Sequence, residues 1–140
     1  MLATALEGLA ALGTVSARSA VIASAPVGPS QREYANAAAV LHTRRDPPAL
    51  LQALQRMEAA FGRLRRGQRW RARVLDLDIV LWSGGSFAAP GLTIPHPLFR
   101  TRNFVLTPAL GIAGKWRDPV SGHTVSQLHA RLTRPRPLLR

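Results

Sequence analysis

Two aspartates stand two residues apart in the middle of the chain, Asp76 and Asp78, directly after a run rich in arginine. A β-strand turns successive side chains to opposite faces, so residues 75–81 are predicted to form a strand with both carboxylates on one face and aliphatic side chains on the other. Two carboxylates about 6–7 Å apart along a strand are best explained by a cation that neutralises them, and their hard oxygens favour Mg²⁺.

The arginines extend this chemistry towards phosphate. Planar guanidinium groups match phosphate oxygens, while a metal ion can bridge other oxygens of the same group. Six arginines lie close before the acidic pair: Arg63, Arg65, Arg66, Arg69, Arg71 and Arg73. The pattern indicates a polyphosphate site without a glycine-rich phosphate loop. By themselves, the same residues are also compatible with the solvated face of a half-buried sheet and an exposed basic loop.

Composition narrows the class of protein. The chain has 140 residues with 46% apolar residues, enough for one domain with a buried core. The net charge of +12 favours polyanionic partners, which include nucleotides and nucleic acid alike. The absence of cysteine excludes disulfides, thiolate metal sites and cysteine nucleophiles, and favours a cytoplasmic protein. The sequence contains no apolar run of about 18 residues, so it predicts no membrane span.

Periodicity predicts an α+β protein. One domain is expected over residues 1–132, followed by a basic, proline-rich tail over residues 133–140. Asp46, before two prolines, is a helix cap, and an amphipathic helix should follow it. The predicted elements are a helix from residue 2 to about Gly13, strands over residues 15–24 and 34–42, the capped helix, the acidic strand, a turn at Gly84-Gly85, a short strand at residues 92–94, and helices at residues 103–110 and 125–132.

Four collinear blocks give the chain a specific resemblance. They run from Ala25 to Thr43, from Leu50 to Trp70, from Arg73 to Trp82 and from Leu92 to Leu110. In this order they resemble the 6-hydroxymethyl-7,8-dihydropterin pyrophosphokinase family of folate synthesis. The resemblance implies transfer of the terminal pyrophosphoryl unit of ATP to the hydroxymethyl oxygen of the pterin, with release of AMP and with two Mg²⁺ ions. It also implies a monomeric enzyme whose partners are these two substrates, with no nucleic acid or membrane partner.

The resemblance also implies a role for each matching position. Asp76 and Asp78 would bind the two Mg²⁺ ions, and Arg63 and Arg73 would complete the catalytic set by contacting the triphosphate. Positions matching ATP contacts are Gln55, Glu58, Arg65, Arg66, Trp70, His96 and Arg102. Positions matching the pterin pocket are Ser24, Val27, Tyr34, Asn36 and Phe104, with Asn36 reading the amide edge of the ring and Phe104 stacking on it.

The implied fold is a ferredoxin-like βαββαβ core with extra C-terminal elements. In the family a strand precedes the first helix, and residues before Leu2 cannot supply it, so the first strand is expected to be missing from this chain. Two alternatives remain open at this point. One is an inactive remnant that keeps the motif residues on an incomplete scaffold, and the other is a basic module that binds nucleic acid.

Overall fold

The computed structural model describes residues 2–24, 34–64 and 75–134. Helices and strands are mixed along the chain, which confirms the predicted α+β class. The elements are α1 (Leu2–Gly8), β1 (Thr14–Arg18), β2 (Ile22–Ser24), β3 (Tyr34–Asn36), β4 (Ala39–His42), α2 (Pro47–Leu64), β5 (Phe87–Ala89), β6 (Leu92–Ile94), α3 (Asn103–Ala113) and α4 (Val125–Thr133). Short 3-10 turns occupy Leu9–Ala11 and Phe99–Thr101.

The first four strands form one long antiparallel ribbon in two pieces. β1 pairs with β4 and β2 pairs with β3. The sequence predicted one continuous strand on each side, whereas the structure interrupts both at the same level. Ser19 explains the interruption, because its backbone N–H donates to the Ala38 carbonyl and its hydroxyl accepts from the Ala38 N–H at 2.8 Å. A side-chain hydrogen bond thus replaces a rung of the ladder.

Helix α2 begins as predicted. The Asp46 carboxylate accepts a hydrogen bond from the Ala49 N–H at 2.9 Å, which satisfies one of the unpaired donors at the helix start. Ala53 and Leu54 are buried on its inner face. The turn before β1 is tight as well, because a Cβ on Gly13 would lie 2.1 Å from the His42 carbonyl oxygen. Only glycine permits this approach of two backbones.

The prediction of a strand over residues 75–81 is wrong, because this segment has no regular secondary structure. The alternation that suggested a strand is nevertheless present, since Leu75 is buried, Asp76 and Asp78 are exposed and Leu77 is half-buried. A strand also needs the backbone of a neighbouring strand, and the described residues place no ladder beside this segment. The alternation correctly predicted which side chains are exposed, but it could not predict whether a neighbouring strand pairs with the segment.

The C-terminal part has its own hydrophobic core. Phe99, Leu106, Val125 and Leu128 form a buried cluster between the 3-10 turn, α3 and α4. The predicted helix at residues 125–132 is confirmed as α4. Its start carries a capping box in which Thr124 accepts from the Gln127 N–H and the Gln127 side chain accepts from the Thr124 N–H.

Three smaller findings complete the architecture. The predicted turn at Gly84-Gly85 is confirmed, and Gly85 takes a φ of 97° that favours glycine. Strand β5, which the sequence did not predict, pairs with the predicted β6. The described strands form three two-stranded ladders. A membrane-spanning helix is not found among residues 2–24, 34–64 and 75–134.

Candidate functional site

Asp76 and Asp78 lie on the exposed side of an extended segment whose other side is anchored in the protein. Leu75 is 5% exposed and fixes the start of the segment. The Val80 carbonyl accepts a hydrogen bond from the His96 N–H at 3.0 Å and ties its far end to the chain after β6. The two carboxylates are therefore presented to solvent from a segment that is held on both sides of them.

Glu58 connects this segment to α2. Its Oε2 accepts a hydrogen bond from the Leu77 N–H at 2.7 Å, and Leu77 stands between the two aspartates. A side-chain carboxylate thus takes the place that a neighbouring strand's carbonyl would have in a sheet. Gln55, one turn earlier on α2, is exposed. The structure thereby gives Glu58 a backbone partner in the acidic segment.

His96 lies beside Asp78, the second residue of the acidic pair. Its Nε2 lies 3.8 Å from Oδ2 of Asp78, and the histidine side chain is 23% exposed. Its Nδ1 accepts a hydrogen bond from the Leu98 N–H at 3.2 Å. A neutral ring that accepts at Nδ1 carries its proton on Nε2, so the N–H is directed to the side where Asp78 lies.

Arg102 and Phe104 stand at the start of α3, beyond the turn that follows His96. The guanidinium carbon of Arg102 lies 5.6 Å from the centre of the Phe104 ring, a cation–π contact. Both side chains are half-buried. The Arg102 carbonyl accepts from the Val105 and Leu106 N–H groups, so Arg102 is the N-cap of α3 and its backbone is held by the start of the helix.

The predicted pterin positions begin on the β2–β3 ladder. Asn36 pairs with Ile22, and Ser24 pairs with Tyr34 at the far end of the ladder. Helix α3, which carries Phe104, contacts β2 and β3. The structure therefore brings together the two elements that hold Asn36 and Phe104.

Several predicted residues lie outside the described part of the chain. They are Val27, Arg65, Arg66, Trp70 and Arg73. The same holds for the side chains of Ser24, Tyr34 and Arg63, whose backbones end a strand, begin a strand and stand in the last turn of α2, respectively.

The acidic pair fits a Mg²⁺ ion that is shared with a substrate. Mg²⁺ is usually bound through one or two carboxylates together with phosphate oxygens and water, so it does not need a complete protein cage. Among the described residues no group of three or more histidine, cysteine, aspartate or glutamate side chains could hold a metal. Two exposed carboxylates on one side of the segment are a donor set that suits such shared binding.

The sequence reasoning missed one ion pair close to this site. Arg100 donates two hydrogen bonds to Asp118, from Nε to Oδ2 and from Nη2 to Oδ1, and Asp118 is completely buried. The hydrogen bond from Arg100 holds the pKa of Asp118 well below its usual range. Hydrogen bonds from Ser121 and Val120 lower the pKa further, against the opposing effect of burial. Asp before Pro is a turn signal, but nothing in the sequence links it to Arg100.

The described scaffold thus mixes helices with short β-ladders and presents two exposed carboxylates, one of them beside an imidazole, while an arginine stands further along the chain at the start of α3. These are the groups with which proteins bind metal ions and phosphates. Residues 1–114 match the model of the 7,8-dihydro-6-hydroxymethylpterin-pyrophosphokinase family. The chain belongs to this family, as its four sequence blocks predicted.

Curated relatives agree with the family match. The chain is similar to 2-amino-4-hydroxy-6-hydroxymethyldihydropteridine pyrophosphokinases from Synechocystis (44% identity over 72% of this chain) and Methylorubrum extorquens (38% over 94%). It is also similar to a folic acid synthesis protein from Pneumocystis carinii, at 33% identity over 73% of this chain. The chain spans 51% of the Synechocystis protein, 84% of the M. extorquens protein and 14% of the P. carinii protein. These matches do not favour the nucleic-acid-binding module or the inactive remnant.

Proposed function

We propose that the chain catalyses transfer of pyrophosphate from ATP to the hydroxymethyl group of 6-hydroxymethyl-7,8-dihydropterin, with release of AMP. The observation that carries the proposal is the family match over residues 1–114, which includes the acidic pair, His96 and Arg102. The names of the pyrophosphokinase relatives support the reaction, and the name of the P. carinii relative supports a place in folic acid synthesis.

In this proposal Asp76 and Asp78 would hold the two Mg²⁺ ions that the family resemblance implies. When bound, the ions would neutralise charge on the phosphates during transfer. The carboxylates suit this role because both are exposed on one side of a segment that Leu75, Glu58 and His96 fix in place. Preorganised ligands of this kind need little movement at the moment of reaction.

The remaining polar groups would position the nucleotide. His96 directs its Nε2–H to the side on which Asp78 lies, where it would donate a hydrogen bond to a phosphate oxygen of the bound nucleotide. Arg102 would neutralise the same polyphosphate. We assign the other nucleotide contacts by the family resemblance to Gln55, Glu58, Arg63, Arg65, Arg66, Trp70 and Arg73.

The pterin would lie between the β2–β3 ladder and the start of α3. Asn36 offers a donor and an acceptor to the amide edge of the ring, and Phe104 offers an aromatic face. The contact between α3 and this ladder supports a shared pocket. By resemblance, Ser24, Val27 and Tyr34 would line the rest of it.

We also propose a ferredoxin-like core for the fold. The support is the mixture of helices and antiparallel strands in the described part of the chain, together with the family match over residues 1–114. Residues 1–132 would form one domain, with residues 133–140 as a tail. A monomer working in the cytoplasm, where ATP and Mg²⁺ are abundant, is the simplest form of this enzyme.

The proposal is tested by AMP release from ATP and Mg²⁺, with and without the pterin. Wild-type protein should release AMP only when the pterin is present, and Asp76→Ala and Asp78→Ala should each abolish the release. Glu7→Ala is the matched control, because it removes an exposed carboxylate on α1 outside the proposed site. Pterin-independent release, or equal loss in the control, would count against the proposal.

A further inference from the structure

The ion pair between Arg100 and Asp118 joins a part of the chain that the family model matches to a part that lies after the match. Arg100 lies within the residues that match the family model, and Asp118 lies after them. The carboxylate is 0% exposed, whereas the arginine side chain remains 27% exposed. The pair therefore connects the chain near the proposed nucleotide site to a turn outside the family match.

Hydrogen bonds hold both the side chain and the backbone of Asp118. Besides the two hydrogen bonds from Arg100, its carboxylate accepts one from the Ser121 hydroxyl at 2.6 Å and one from the Val120 N–H at 3.0 Å. Its backbone N–H donates to the His123 carbonyl, and its own carbonyl accepts from the Gly122 N–H, each at 2.8 Å. The turn then enters α4 through the capping box. The carboxylate consequently has little freedom to follow a moving arginine.

Arg100 stands in the turn that separates His96 from Arg102. Within this turn the Phe99 N–H donates to the His96 carbonyl at 3.2 Å, and the Arg102 N–H donates to the Phe99 carbonyl at 3.4 Å. The first distance lies at the upper end of the ordinary range and the second lies beyond it, so these backbone bonds support the turn less than bonds of ideal length would. Arg100 adds a bidentate, charge-assisted contact at its centre and covers the buried Phe99 ring, 4.8 Å from the ring centre.

We propose that Arg100 and Asp118 form a positioning pair that holds the turn over residues 96–102, so that His96 and Arg102 meet the nucleotide phosphates together. The inference rests on the proposed function for the identity of the ligand. The pair touches no substrate itself and acts through the two residues on either side of it. The turn at residues 118–123, which lies outside the family match, thereby helps to hold the site in place.

A purely stabilising role explains the arrangement less well. Apolar side chains of similar volume often stabilise a buried position as well as an ion pair does, because both charges must leave water. Apolar contacts do not fix the direction of a side chain. The planar guanidinium of Arg100, bound to the Asp118 carboxylate that is itself held by other hydrogen bonds, fixes the arginine backbone relative to the turn at residues 118–123. Positioning is the function for which this geometry is suited.

The test compares wild-type protein with Arg100→Met, Asp118→Asn and the double variant, and uses Arg117→Ala as control. Arg117 donates to the Gly122 carbonyl in the same turn and is exposed, so its loss perturbs the turn without touching the pair. The measurements are KM for ATP, KM for the pterin, kcat, and binding of a non-hydrolysable ATP analogue with Mg²⁺. They are made at a temperature where circular dichroism shows every variant to be folded.

We expect the single and double variants to weaken ATP analogue binding and to raise KM for ATP on the order of tenfold, with KM for the pterin within about twofold of wild type. Arg100→Lys, which keeps the charge but loses the fork, should restore part of the affinity. Arg117→Ala should behave as wild type. Each single variant leaves one charge of the pair without its partner, so if the single variants unfold, the double variant, which removes both charges, decides the test. If the double variant is also unfolded, Arg100→Lys decides it.

Two failures are distinguishable. If folded variants bind the analogue and ATP within about twofold of wild type and differ only in thermal stability, the pair is structural and the inference is overturned. If wild type and Arg117→Ala show no pterin-dependent AMP release, the proposed function fails instead. The analogue-binding arm still tests whether the pair orients a nucleotide site.

Discussion

Glu58→Ala should destabilise the protein through the acidic segment. The substitution removes the acceptor of the Leu77 N–H, a 2.7 Å bond to a charged oxygen that joins α2 to the residues between the two aspartates. Hydrogen bonds to charged groups contribute about 1.5–3 kcal/mol, and the lower half of that range applies because both residues are only half-buried. We expect the free energy of unfolding to fall by about 2 kcal/mol.

The assay is thermal unfolding followed by circular dichroism. For a chain of this size, 1 kcal/mol shifts Tm by about 3 °C, so Glu58→Ala should lower Tm by about 6 °C. Glu58→Gln keeps an oxygen acceptor without the charge and should lose about half as much. Gln52→Ala is the matched control, because Gln52 is exposed on the same helix, and its effect should stay within about 0.5 kcal/mol.

A second measurement distinguishes an effect on the acidic segment from an effect on the stability of the whole protein. Because Leu77 lies between Asp76 and Asp78, its release should also weaken Mg²⁺ binding, which is measured by titration calorimetry without nucleotide because Glu58 is itself assigned a contact with ATP. The reasoning is refuted if Glu58→Ala unfolds at the same temperature as Gln52→Ala and binds Mg²⁺ as wild type does. That result would mean that the contact between α2 and the acidic segment contributes nothing to either property.

Three further substitutions test the C-terminal part of the structure, each by thermal unfolding. Asp118→Asn should lower Tm most at neutral pH. The folded-state pKa of Asp118 lies below its unfolded value of about 4, so the ionised carboxylate stabilises the protein above that pH, and this stabilisation is lost as pH falls through the folded-state pKa. A Tm difference between wild type and Asp118→Asn that does not narrow between about pH 6 and about pH 2 would contradict this. Leu106→Ala should cost about 2–5 kcal/mol by leaving a cavity in the core, and a loss below about 1 kcal/mol would contradict its complete burial. Thr124→Ala should cost about 1 kcal/mol by removing the cap of α4, with no loss expected if the capping box is not formed.

Features that depend on nearby residues were predictable from the sequence. The Asp46 cap requires only a carboxylate three residues before the Ala49 N–H, and α2 follows it as expected. The facing of Asp76 and Asp78 follows from alternation alone. Such features are encoded within a few residues, so a pattern in the sequence is enough to find them.

Features that depend on distant partners were not predictable. Residues 75–81 have the alternation of a strand, but a ladder needs the backbone of another segment. The break in the long ribbon depends on Ser19 meeting Ala38 across it. Arg100 and Asp118 lie 18 positions apart with no periodicity to connect them. For the candidate site, the sequence named the residues, and the structure added the contacts of Glu58 and His96 that orient them.

The most direct test of the central claim follows the phosphates of ATP with radioactive labels. The protein is incubated with Mg²⁺, the pterin and ATP labelled either at the α- or at the γ-phosphate, and the products are separated by chromatography. Pyrophosphoryl transfer predicts that the α label appears in AMP and the γ label in the pterin product. ADP as the nucleotide product, or the γ label in free inorganic phosphate, would contradict the account.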